Sequence, residues 1–170
     1  ISQEAAEVKY TSFETVVEQV RRFGRGTRLA KTDIKQAYRL LKMSRSSHKF
    51  LGFKFDDKYY VDLCLSMGLK SAPSIFEKFG KFLCKCAQAH YGSGQAVFSY
   101  LDDYIFCEAG PPAVDGGFAP LEIFVELCKY LRIPLAEDKT VGPSTRIVFL
   151  GLEIDSDAML IRCPIDKVEA

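Results

Sequence analysis

Apolar residues change their spacing several times along the chain, and each change marks an element. Phe13, Val16, Val17, Val20 and Phe23 recur at helical spacing. Thr11-x-x-Glu14 precedes them as a capping-box pattern and Gly24 follows as a stop, which predicts a helix over 12–23. Residues 28–33 (RLAKTD) predict a short strand ending at Asp33, and 39–43 and 49–55 also predict extended chain. Asp56-Asp57-Lys58 reads as a turn, and 59–65 (YYVDLCL) alternates as the return strand of a hairpin. Ser71-Ala72-Pro73 opens a second helix with proline in its tolerated first turn. Its expected inward face is Ile75, Phe76, Phe79, Phe82, Leu83 and Cys86, and it should end near Gly92. The apolar, aromatic-rich runs 96–101 and 104–107 are broken only by Asp102-Asp103, which predicts a hairpin with two acids at its tip. Residues 109–120 form a Gly/Pro-rich loop. A third helix is expected over 121–131, with Leu121, Phe124, Val125, Cys128 and Leu131 inward, followed by strands near 146–155 and 159–163. There is no internal repeat. Antiparallel hairpins and separate helices together imply an α+β fold, an antiparallel sheet with helices packed on one face.

Composition narrows the class. At 48% hydrophobic residues and a mean hydropathy of −0.01, the chain can bury a core and is not of the disordered type. A length of 170 residues suits one domain, 1–170. No apolar run approaches the length of a membrane span, and no charged-then-apolar N-terminus marks a secretory signal, so no membrane partner is expected. Six cysteines (64, 84, 86, 107, 128 and 163) show no CxxC and no histidine at ligand spacing. Reduced, mostly buried thiols in an intracellular setting, cytoplasm or nucleus, are the expectation. The chain starts at Ile1 without Met and stops at Ala170 without a tail, which reads as a piece of something longer.

The near-neutral total hides a strong asymmetry. Residues 1–85 carry 17 basic and 9 acidic side chains, net +8, while 86–170 carry 6 and 13, net −7. Within 21–49 there are ten Lys/Arg and a single acid, Asp33. This split favours a polyanionic partner on one part of the surface. Asp33 reads either as a salt-bridge anchor or as a ligand, and Asp102-Asp103 either as a plain turn pair or as paired functional acids. Taken together, the three acids favour a site for hard divalent ions, which take carboxylate and phosphate oxygens. Two strand ends presenting three carboxylates could hold two ions that clamp the attacking and leaving oxygens of a phosphoryl transfer. Surrounding cations would hold a nucleic-acid backbone.

The motifs at these positions resemble the palm and part of the fingers of a reverse transcriptase, in family order from about residue 10 to 168. LAKTDIKQAYRLLKM (29–43) is similar to the family's first catalytic motif. LCLSMGLKSAPSIFEKF (63–79) is similar to the motif that supports template and incoming nucleotide. SYLDDYIF (99–106) is the Tyr-x-Asp-Asp hairpin, LAEDKT (135–140) resembles the lysine motif near the nucleotide phosphates, and FLGLEID (149–155) resembles the hairpin that grips the primer. The wording of LAKTDI, HKFLGF, KYYVDLCLSMGL, YLDDYIF, IPLAEDKT and FLGLEID further resembles DIRS-like retroelements, which encode a tyrosine recombinase.

The resemblance implies an RNA-directed DNA polymerase adding dNTPs to a primer 3′-hydroxyl on an RNA or DNA template. The cofactor would be two Mg²⁺ ions, with Mn²⁺ as a substitute. Asp33 and Asp102 would bind both ions, Asp103 would complete the site, and Ile34 would add its backbone carbonyl. Tyr38 stands at the steric-gate position, where a flat ring blocks a ribose 2′-hydroxyl; it also reads as a core aromatic. Met67 and Gly68 would contact nucleotide or template, and Gly68 also reads as a simple turn glycine. Lys139 would act on the leaving pyrophosphate or be a plain surface lysine. Tyr100 and the Phe149-Leu150-Gly151 run would lie at primer and template, although 149–151 also reads as ordinary core strand. Lys31 and Arg39, flanking Asp33, are the best candidates among the basic residues for the nucleic-acid path. Ser66 and Met67 depart from the family's usual Pro and Gln or Phe, so contact at Met67 must be by packing. The upstream finger cations and the thumb fall outside the chain, as do RNase H and any recombinase, the expected partners in a retroelement polyprotein. The isolated chain is therefore expected to polymerise weakly or not at all. The competing reading is a nonenzymatic nucleic-acid-binding relic of such an element.

Overall fold

The computed structural model describes residue 8 and residues 10–110, 117–164 and 167. Helix α1 (Phe13–Phe23) starts one residue later than the capping-box pattern suggests. Ser12 is the cap, and its Oγ accepts the Thr15 N–H at 3.3 Å. The predicted stop holds: the Gly24 N–H returns to the Val20 carbonyl.

The main sheet contains β1 (Arg28–Asp33), β4 (Gln95–Tyr100), β5 (Asp103–Glu108) and β6 (Val141–Ser144), in the order β4-β5-β1-β6. All its pairings are antiparallel. A separate hairpin joins β2 (Gly52–Phe55) to β3 (Lys58–Val61), and β7 (Arg146–Phe149), β8 (Leu152–Asp155) and β9 (Leu160–Arg162) form a three-stranded sheet. Alternation along β1 divides the core. Ala30 joins the cluster under α2 (Ala72–Gln88) and α3 (Ala119–Tyr130), with Phe76, Leu83, Phe106 and Phe124. Leu29 joins Val16 and Val20 of α1 with Ile147, Phe149 and Ile154 on the opposite side. The α+β class stands, and two helices share one face as expected. The third lies across the sheet from them, because the period-2 strand offers apolar side chains to both faces.

Several boundaries differ from the sequence reading. Residues 39–43 are not a strand: the chain bends at Gln36 (φ 54), turns through a 3₁₀ helix at Ala37–Leu40, and forms only an isolated bridge between Lys42 and Cys64. A second 3₁₀ turn, Arg45–Phe50, occupies the start of the expected 49–55 strand. There the Ser44 hydroxyl shares hydrogen bonds with Ser46 and Ser47, a local polar alternative to a ladder. The return strand ends at Val61 because the Asp62 side chain accepts the Cys64 N–H.

Helix α2 ends at Gln88 rather than Gly92, and it is rotated from the expected face. Ile75 and Phe82 point outward at 38% and 55% exposure, while Ala72, Phe76, Gly80, Leu83, Cys84 and Ala87 face inward. A stripe of small residues lets the helix approach the sheet more closely than a stripe of wide ones would. Helix α3 begins two residues early, with Pro120 in its first turn, and Leu131 is exposed. The predicted 109–120 loop lies partly outside the described residues.

The predicted 146–155 strand is a hairpin whose tip, Leu150 and Gly151, has positive φ at both residues (46° and 83°). That conformation suits a tight two-residue turn. Strand β6 escaped the sequence reading because Gly142-Pro143 looks like a loop. Its glycine is required, since a Cβ at Gly142 (φ 111) would sit 2.6 Å from the Leu29 carbonyl oxygen. The six cysteines are free thiols. Among the described residues, no helix is long and apolar enough to cross a membrane.

Candidate active site

The register of β1 against β5 sets Asp33 directly opposite Asp103. Strand β4 pairs Tyr100 with Asp103, so the connecting turn is Leu101–Asp102. The hairpin tip thus carries one acid, with the second as the first residue of β5, a correction of one position to the sequence reading. The Ile34 N–H donates to the Asp102 carbonyl oxygen at 2.9 Å, tying the turn to the end of β1. One end of the sheet therefore gathers the three carboxylates.

Their electrostatics reflect the crowding. Burial pushes the Asp102 carboxyl pKa up, with neighbouring Asp33 adding to the rise. The Asp103 carboxyl is raised first by burial, then by Asp102 and Asp33. Lys139 opposes both shifts. Its Nζ lies 2.8 Å from Asp33 Oδ2, and this hydrogen bond pushes the lysine pKa up.

A cleft of about 340 Å³ opens beside the acids, lined by Asp33, Ile34, Tyr38, Met67, Asp102 and Lys139 among others. The Tyr38 ring meets Phe76 edge-on at 5.4 Å, so it is both a packed aromatic and a cleft wall. Met67 is 78% exposed. Gly68 has φ 84 with open space around it, so backbone conformation rather than crowding calls for glycine there. Ile34 is buried and lies in the wall of the cleft.

Other expected site residues do not line this cleft. Lys31 Nζ donates to the Val148 carbonyl oxygen at 2.8 Å, which fastens β7 to β1. Arg39 is committed to Asp62, with hydrogen bonds of 2.6 and 2.7 Å to its two oxygens. Both cations have partners within the chain, and Lys31 also opposes the rise of the Asp103 carboxyl pKa. Tyr100 packs against the Tyr10 ring at 4.8 Å. Phe149 is core, and only Leu150 and Gly151 form the hairpin tip.

Sequence reasoning passed over Gln36, whose left-handed backbone turns the chain into the cleft wall. It also passed over Glu77, 2% exposed on the sheet side of α2. The available signal was a charged residue between Phe76 and Gly80 on a helix face otherwise apolar or small.

Among the described residues, no three His, Cys, Asp or Glu side chains close as a ready-made cage for a metal. The donors at the sheet end are hard carboxylate oxygens, the type that suits Mg²⁺ or Mn²⁺. Their mutual repulsion and burial are what a bound cation would relieve.

The family model described as reverse transcriptase (RNA-dependent DNA polymerase) matches residues 3–154. No curated protein sequence matches the chain. Among solved structures, it is similar to the foamy viral protease-reverse transcriptase in complex with double-stranded DNA, with a TM-score of 0.65 at 18% identity over 78% of this chain and 22% of that one. The same viral protein in complex with RNA/DNA hybrid matches with a TM-score of 0.63 at 17% identity, covering 84% and 18%. The native prototype foamy virus protein matches at 0.57 and 16% identity, covering 87% and 19%. At these identities the likeness is one of fold, and the chain spans about a fifth of the length of these structures.

Proposed function

The chain belongs to the reverse transcriptase family, and from that premise we propose that it is the palm and part of the fingers of an RNA-directed DNA polymerase. Its substrates are dNTPs, a DNA primer and an RNA or DNA template. The observation that carries this reading is the pairing of Asp33 with Asp103 across β1 and β5, with Asp102 in the adjoining turn.

Asp33 and Asp102 would hold the divalent ions, Asp103 would complete the site, and Ile34 would offer its backbone carbonyl. Two Mg²⁺ ions, or Mn²⁺, supply when bound the activation of the primer 3′-hydroxyl and neutralisation of the triphosphate. Lys139 moves from Asp33 toward the leaving pyrophosphate, where its ammonium donates a proton or neutralises charge. Tyr38 presents its ring to the sugar and excludes a 2′-hydroxyl. Met67 packs against the nucleotide, and Gly68 lets backbone approach it. The Leu150–Gly151 tip, propped by buried Phe149, holds the primer end, and Tyr100 buttresses the acid-bearing hairpin from β4.

The finer assignment is to a DIRS-like retroelement, supported by the wording of LAKTDI, YLDDYIF, IPLAEDKT and FLGLEID. The chain would then work inside the cell as part of a polyprotein with a thumb, RNase H and a tyrosine recombinase. A recombinase gene downstream supports that assignment; an integrase there rejects it.

Primer extension tests the function. The polymerase carrying this domain should extend oligo-dT on poly-rA with Mg²⁺, and Asp102→Asn with Asp103→Asn should abolish extension. Template binding without extension by the unaltered protein would favour the nonenzymatic relic.

A further inference from the structure

A buried acid outside the carboxylate cluster touches the turn that carries Asp102. Glu77 lies on the sheet-facing side of α2, 2% exposed. Its Oε2 accepts the Leu101 backbone N–H at 3.1 Å. Leu101 has φ 54, a left-handed conformation that a leucine adopts only when its surroundings hold it there. The other Glu77 oxygen lies 3.4 Å from Lys81 Nζ.

One turn further along α2, Gly80 completes the contact. A Cβ there would come within 3.4 Å of the Leu101 carbonyl oxygen and 3.2 Å of Tyr104 Oη. Helix α2 therefore meets both backbone polar groups of Leu101: it bonds the N–H through Glu77 and leaves room for the C=O at Gly80. The next residue is Asp102. Releasing the Leu101 N–H would let the turn relax and rotate the Asp102 carboxylate away from Asp33.

We propose that Glu77 is a positioning residue for the catalytic turn, fixing the left-handed Leu101 that aims Asp102 into the ion site. The proposal rests on the reading of Asp102 as an ion ligand. It differs from a general packing or charge role in one respect: the reach of the acceptor oxygen matters and its charge does not.

Two substitutions separate these roles. Glu77→Gln keeps an oxygen at the same reach and removes the charge. Glu77→Asp keeps the charge and draws the carboxylate back by one methylene. In the 170-residue chain, amide hydrogen exchange at Leu101 should stay slow in the Gln variant and quicken about tenfold or more in the Asp variant, reflecting local opening. In the complete polymerase, the Asp variant should lose kcat by about 10²-fold, as for a misplaced catalytic group. Its half-saturating Mg²⁺ should rise severalfold while the template-primer KM stays level; the Gln variant should match the unaltered enzyme in each respect. Normal exchange and kinetics in the Asp variant, or equal impairment in both, would overturn the proposal. If the unaltered polymerase fails to extend primers, the functional reading fails instead, and Leu101 exchange still decides whether Glu77 holds the turn.

Discussion

Lys139 Nζ lies 2.8 Å from Asp33 Oδ2, pairing a largely exposed lysine with a nearly buried acid at the end of β1. The lysine therefore competes with any cation for Asp33. Lys139→Met should bind Mn²⁺ more tightly in the absence of substrates, measured by paramagnetic titration. It should also slow nucleotide addition by about 10²-fold, the scale of a lost general acid. Weaker Mn²⁺ binding, or an unchanged rate, would remove the lysine from the mechanism.

Tyr38 presses its ring edge on Phe76 and walls the cleft. Tyr38→Ala should open space for a 2′-hydroxyl. Selectivity for dNTPs over rNTPs, taken as the ratio of kcat/KM values, should fall by roughly 10- to 100-fold, the range a steric contact supplies. Unaltered selectivity would assign Tyr38 to packing alone.

The Asp62 carboxyl is held down to about 2, first by the hydrogen bond from Arg39, then by the Cys64 N–H and the Ser66 hydroxyl. Its folded value lies below the unfolded one, so the unfolded chain binds the proton more readily. The pair's stabilisation is thus complete above roughly pH 4, the ordinary aspartate range, and fades as pH falls toward the folded value. Urea unfolding of the Asp62→Asn variant should trail the unaltered chain at neutral pH and converge with it on acidification. A gap independent of pH would contradict the coupling.

Gly142 brings β6 against β1, with the Leu29 carbonyl oxygen and Ala30 Cα under 3 Å from where a Cβ would sit. Gly142→Val should cost roughly 1–3 kcal/mol, the usual scale of overpacking. Chemical denaturation should show a lower midpoint, and an unshifted midpoint would mean that β6 is free to move away.

Much of the site was legible because its signals are local. Two acids between aromatic runs specify a turn, and a strand ending at Asp33 specifies its partner. Their meeting needed only antiparallel register, which apolar alternation sets. The roles of Lys31 and Arg39 were not legible. Each has its partner, Val148 or Asp62, more than 20 residues away, and nothing in a charge run says which cation finds an internal acceptor. The orientation of α2 was hidden for a related reason: Ile75 and Phe82 read as core by hydrophobicity, whereas the sheet selects the face with Gly80 and Ala87 by shape. Glu77 was passed over because its partner, the Leu101 N–H, lies 24 residues further along the chain.

The most direct measurement is the anomalous scattering of Mn²⁺ in crystals of the complete polymerase with template, primer and an unreactive dNTP analogue. Two peaks about 4 Å apart, the usual two-ion spacing, should lie against Asp33, Asp102 and Asp103, with Lys139 displaced from Asp33. Peaks held by other residues, or an assembled complex in which no Mn²⁺ touches Asp33, would contradict the assignment of these three acids as the catalytic centre.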